Sequence, residues 1–134
     1  MSKSNASETD FLNLTFKATA LPWNAATQLD IHLHTADPGE AGIGTTSEAT
    51  YTSYAAVTVA RSGSAWTVTG DTATNANLIQ FPQCTGGSNT ITHVSITPNG
   101  STQILYSGAL NSPLAVSNGI QPQFAAGALS IQEQ

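Results

Sequence analysis

The sequence predicts an all-β protein, a jelly-roll-like β-sandwich with a short N-terminal helix. Two observations carry this. Charged residues make up only 8% of the 134, against about a quarter in an average domain. Polarity comes instead from Thr, Ser, Asn and Gln. Thr packs well on a pleated sheet, whereas Ser and Asn compete for the backbone bonds of a helix. The second observation is spacing. From Leu29 onward, short apolar runs recur at roughly 8–12-residue intervals, the rhythm of a sandwich or barrel.

Residues 1–7 read as a flexible N-terminal leader, and 8–134 as a single β-sandwich domain. Ser7-Glu8-Thr9-Asp10 matches a capping box ahead of Phe11, Leu12, Leu14 and Phe16, which predicts a helix over 8–19. Leu21-Pro22 should end it, because the residue before proline avoids helical geometry. From Leu29 the period becomes two. Leu29, Ile31 and Leu33 share one face; Asp30, His32 and His34 share the other. Asp37-Pro38-Gly39 reads as a turn, with Gly supplying positive φ. Residues 35–50 follow as a loop rich in Gly, Thr, Ser and Ala. Further strands are expected near 53–60, 65–69, 78–82, 90–97, 103–109, 113–117 and 128–132. Gly, Pro, Asn or Asp separates each from the next.

Charge narrows the function. The formal charge is −5, and the basic residues are Lys3, Lys17 and Arg61. They form no cluster in the sequence, and a surface that tracks phosphates needs several, so nucleic acid is not expected as the main partner. No apolar run approaches a membrane span. The N-terminus lacks the apolar h-region of an ordinary signal peptide. Cys84 is alone, so no internal disulfide is expected; it reads as a small buried apolar residue.

Site chemistry is sparse, and no catalytic residue or cofactor is expected. His32 and His34 lie two apart on a strand, so both rings share a face, a spacing that metals use. They are weak metal-ligand candidates. The pattern with Glu40 is similar to that of the cupins, which are metal-dependent jelly rolls. Glu40, however, falls six residues after His34, beyond a Pro-Gly turn, and His93 on the 90–97 strand lacks the context of the second cupin motif. The competing reading is two surface histidines on a solvated or subunit-facing strand. Asp37 with Glu40 would be an acid–base pair, but Asp before Pro-Gly is more often a turn residue. Trp66 reads as core. Phe11, Phe16, Trp23, Tyr51 and Tyr54 are the interface candidates, with core as the alternative for the two tyrosines.

Several stretches carry a resemblance: LHTADPGEAG, EATYTSYAAVTVAR, WTVTGDTATNANLIQFPQCTGG, THVSI, ILYSGAL and LAVSNGIQPQFAAGAL. Over roughly residues 29–130 the chain resembles a family of small structural proteins of tailed bacteriophages. The shared positions are core and turn positions. Two details depart from the family pattern: Val94 stands where Phe is common, and AAVTVAR lacks the basic residue that often precedes its Val. The resemblance implies a virion structural protein with no catalytic residue. It implies first a cement or decoration protein on the capsid exterior, made in the bacterial host cytoplasm. Its expected partner is the major capsid protein of the same phage, and a homo-oligomer, dimer or trimer, is expected as well. The alternative is a tail or tail-fibre adaptor. A metal-dependent jelly-roll enzyme using His32 and His34 is the remote third reading.

Overall fold

The computed structural model describes residues 1–133. Gln134, the last residue of the expected 8–134 domain, lies outside them. In chain order the elements are β1 (Ser2–Lys3), α1 (Asn5–Lys17), β2 (Gln28–His34), β3 (Val57–Ala60), β4 (Trp66–Thr69), β5 (Thr72–Asn75), β6 (Ile79–Gln80), β7 (Asn89–Pro98), β8 (Tyr106–Val116), β9 (Gln123–Phe124) and β10 (Ser130–Gln132). They form an all-β sandwich with one short N-terminal helix. A five-stranded sheet runs β1-β8-β7-β2-β3, a three-stranded sheet runs β10-β5-β4, and β6 pairs with β9. All pairings are antiparallel.

The core lies between the sheets. Ile31, Leu33, Ile91, Val94, Ile96 and Val116 come from the large sheet. Ile79, Phe81, Cys84, Leu129 and Ile131 close over them. Phe81 is fully buried, stacked on Tyr54 at 6.4 Å and edge-on to Phe124 at 6.2 Å. Cys84 is buried, as the sequence predicts. Trp66 is partly buried against this core, and its indole N–H donates to the Ala60 carbonyl.

The N-terminus departs from expectation. Residues 1–7 are not a loose leader. Ser2 and Lys3 pair with Ser107 and Tyr106 of β8, and the helix begins at Asn5, ahead of the expected start at 8. The cap is Ser4, whose Oγ accepts from the Ser7 N–H at 3.1 Å and donates to the Ile104 carbonyl. A buried serine that fills both roles outcompetes the capping box at Ser7, whose own backbone N–H it takes. The helix stops at Lys17, where Ala18 turns left-handed at φ 52°, before Pro22 has any say.

The two expected strands at 103–109 and 113–117 are one strand, β8. Its register against β7 shifts between Ile91 and His93, so residues 110–113 have no ladder partner there. Pro113 sits in that irregularity, where its missing N–H costs no ladder bond. β5 has no apolar alternation to announce it. It forms because Gly70, at φ 62°, opens a two-residue hairpin from β4, and because β10 pairs on its other edge. Asn75 anchors this region. It is buried, donates to the Asn77 and Ala125 carbonyls and accepts from the Leu129 N–H.

Phe81→Ala should lower the unfolding free energy by about 3–5 kcal/mol, the usual cost of a large core truncation. Chemical denaturation monitored by tryptophan fluorescence would check it. A loss under about 1 kcal/mol would mean that the aromatic stack is not the centre of the core.

Candidate functional site

Strand β2 places His32 and His34 opposite Ile31 and Leu33, as its period dictates. The expectation that this face meets solvent or another subunit does not hold. His34 is fully buried and His32 partly so. The reason is the 35–50 loop. It folds back over the strand: Thr35 N–H bonds Ser47 O at 2.8 Å, Ala49 N–H bonds Leu33 O at 2.8 Å, and Gly44 N–H bonds Thr102 O at 2.8 Å. Asp37-Pro38-Gly39 starts the fold-back as a turn. The Asp37 carboxylate accepts from the Gly39 N–H at 2.9 Å, and Gly39 has φ 74°.

The loop brings Glu48 over the strand. His32 Nδ1–H donates to Glu48 Oε2 at 2.6 Å, and His32 Nε2 lies 2.9 Å from Thr97 Oγ1. The Tyr54 hydroxyl donates to the same Glu48 oxygen at 2.7 Å and accepts from the Leu33 N–H at 3.0 Å. That N–H lies beyond the end of the β2–β3 pairing, so the tyrosine completes the backbone accounting. His34 Nδ1–H donates to the Thr46 carbonyl at 2.7 Å, and its Nε2 is 2.7 Å from Ser95 Oγ.

Ionisation follows from these contacts. Burial pushes the His34 pKa below its ordinary 6.5, more than the Thr46 bond raises it. The ring is therefore neutral and its Nε2 accepts from Ser95. Burial pushes Glu48 upward, but the bonds from His32 and Tyr54 outweigh it, so its carboxyl titrates below the ordinary 4.5. Burial, chiefly, raises Tyr54.

Glu48, His32 and Thr97 thus form an acid–imidazole–hydroxyl chain, the order of groups found in a hydrolase triad. Access decides what it can do. Thr97 is 0% exposed, and Gly44 lies so close that an added Cβ would sit 3.1 Å from the Thr97 methyl and 3.2 Å from His32 Nε2. A hydroxyl that no substrate reaches is a packing element. The metal candidates fare similarly, since all four ring nitrogens of His32 and His34 point at protein partners. Among the described residues no group of three or more His, Cys, Asp or Glu side chains is disposed to hold a metal ion. His93 pairs across from His34 but bonds Thr92. Asp37 is taken up by its own turn.

The interface candidates divide. Tyr51 is 3% exposed with its hydroxyl on the Pro82 carbonyl, and Tyr54 belongs to the cluster above, so both serve the core and neither offers a free surface. Phe11 and Phe16 are 50% and 79% exposed. Trp23 is partly buried beneath the Arg61 guanidinium, 5.0 Å from the ring centre. Its indole N–H is buried with no partner, which costs about 1–3 kcal/mol. Trp23, Leu29, Trp66, Val68 and Ile131 wall an apolar groove of about 400 Å³. Sequence reasoning missed this groove. Its walls come from segments far apart in the chain, and no local pattern joins them.

The sandwich thus seals its polar cluster inside and leaves several large apolar side chains, those of α1 and Val68 among them, on its outer surface. The family model for podophage GP4 fiber I protein gp80 matches residues 2–132, and the chain belongs to that family, a tail-fibre-like family of tailed-phage structural proteins. No curated protein matches the chain. No helix among the described residues is long and apolar enough to cross a membrane.

Two outcomes test the sealed cluster. Gly44→Ala should destabilise by about 1–3 kcal/mol through overpacking, read by denaturation. Stability should also fall on acidification. The unfolded chain protonates His34 near 6.5 while the folded chain resists, so stability present above that pH is lost as the pH drops below it. Glu48 adds a further loss below about 4.5. His34→Gln should flatten the slope between about pH 6.5 and 5; an unchanged slope would move its source elsewhere.

Proposed function

We propose that the chain is a non-enzymatic structural module of the phage tail-fibre apparatus. The observation that carries this reading is the match of the fibre family to almost the whole chain, residues 2–132. The structure supports it physically. Both faces of β2 are covered, so the sandwich is a stiff body with little to offer a substrate. The only acid–imidazole–hydroxyl chain among the described residues is closed to solvent at its hydroxyl end. What remains available is the outer surface, and structural parts act through surface.

The reading of the sequence as head cement, bound to the major capsid protein, has no comparable support. The family's description names a fibre, and the 35–50 loop is pinned to the sheet, which leaves it little freedom to adapt to a capsid lattice.

Quantitative mass spectrometry of purified particles separates the two. The fibre reading expects a small fixed copy number, a multiple set by tail symmetry, and co-purification with tails after heads are removed. A count approaching that of the major capsid protein, retained on tail-less heads, would overturn it in favour of decoration. Absence from particles would overturn both.

A further inference from the structure

We propose that residues 35–50 form an acid-released strap: protonation of the histidine cluster beneath it opens the strap locally while the sandwich stays folded. The inference does not rest on the fibre reading. It starts from what holds the strap down. Between Thr35 and Glu48 the buried residues are Pro38 and Gly44. Ile43, the one large apolar side chain of that stretch, is 43% exposed. Little hydrocarbon leaves water when the strap closes, so hydrogen bonds hold it. Segments of that kind open at a lower free energy than the whole fold.

The bonds converge on three adjacent residues. His34 Nδ1–H donates to the Thr46 carbonyl. The Thr35 N–H and hydroxyl donate to the Ser47 carbonyl. His32 Nδ1–H and the Tyr54 hydroxyl donate to the Glu48 carboxylate. Ser47 stands between the two histidine acceptors at φ 52°. That left-handed conformation is unfavourable for a serine, and opening relaxes it.

Charge makes this clasp sensitive to acid. His34 is 0% exposed, so a cation there has no water to solvate it. On its own strand it lies beside His32, ring centres 6.4 Å apart, and Asp30 beyond that is bonded to Thr58 and Asn99. β7 sets His93 directly across from it. The strap brings Glu48, to which Tyr54 is bonded, and β3, Val57–Ala60, brings no ionisable side chain. Positive charge on His32 or His93 opposes a charge on His34, and the Glu48 carboxylate favours it. A proton on Nε2 also takes the lone pair that accepts from Ser95. The displaced hydroxyl proton must then find another acceptor in a buried site.

In the open strap the His34 ring meets water and protonates at its ordinary pKa of 6.5; in the closed strap burial, chiefly, holds it lower. Closure is therefore fully favoured above that pH, and the preference is lost as the pH falls below it. Opening uncovers His34, together with His32 and Thr97, over which Gly44 closes. It also loosens the first turn of α1, because the Asn5 N–H donates to the Glu40 carbonyl of the strap at 2.9 Å. Ser4 stays tied to Ile104, so the helix keeps its anchor in the body.

Amide hydrogen exchange of the full chain tests this, followed by NMR at about pH 7.5 and about pH 5.5 and corrected for the intrinsic exchange rate. The Gly44 and Ala49 amides, bonded to the Thr102 and Leu33 carbonyls, report the strap, as does the Asn5 amide. Amides of β7 and β8 report the core. At both pH values the strap amides should exchange on the order of a hundredfold faster than the core amides. Their opening constant should rise about tenfold from the higher pH to the lower, the effect of one proton taken up by His34. His34→Gln should keep the separate opening and lose the rise. Glu48→Gln leaves the His34 bonds in place and should keep the rise. Strap amides that exchange at the core rate, or a strap opening indifferent to pH, would overturn the proposal. So would a rise that survives His34→Gln.

Discussion

From Ile31 to His34 strand β2 has both faces largely out of water, and the two faces solve the same problem in different ways. Ile31 and Leu33 bury hydrocarbon against the core, which needs only shape and volume. On the other side the strand carries imidazoles, and a buried imidazole must find partners for both nitrogens or lose several hydrogen bonds' worth of solvation. The 35–50 loop meets that demand with the Glu48 carboxylate and the Thr46 carbonyl, while β7 adds Ser95 and Thr97. Tyr54 ties the loop's glutamate to the Leu33 backbone where β3 runs out. The register of β2 against β7, the path of the loop and the close approach of Gly44 all depend on this set of bonds.

That cluster also shows why a list of residue types is a poor guide to activity. Glu48, His32 and Thr97 stand in the order and at the distances that nucleophilic catalysis uses. What is missing is a place for a substrate to stand. The same contacts that align the groups cover the hydroxyl, so the alignment serves packing. A protein of this design places its working surface elsewhere, and membership of a phage fibre family agrees with that.

The helix α1 is held at one end and presented at the other. Ser4 is sunk into the body and Lys3 stretches over the Phe11 ring at 4.3 Å, fixing the first turns. Beyond Asn13 every residue to Ala20 is exposed. Apolar side chains on such a segment are stable only in marginal terms until something covers them. The groove beside β4 has the opposite character, a concave apolar wall that a convex apolar element would fill.

The sequence by itself determined the class of fold, most strand positions and the chemistry available. Low charge, abundant Thr and period-two runs at 29–34 and 65–69 are local properties, and local backbone preference reads them directly. The Asp37-Pro38-Gly39 turn was legible for the same reason. It also carried the family resemblance, because core and turn positions recur wherever the fold does. Tertiary structure decided the rest. Ser4 instead of Ser7 caps the helix because the Ile104 carbonyl, a hundred residues away, accepts its hydroxyl. β5 exists because two neighbours pair with it, although Thr-Ala-Thr-Asn has no strand periodicity. His32 and His34 are interior because a loop returns over them, and no pattern within the strand can say whether its polar face will be covered. Burial is a property of the whole surface, and only the folded chain has one.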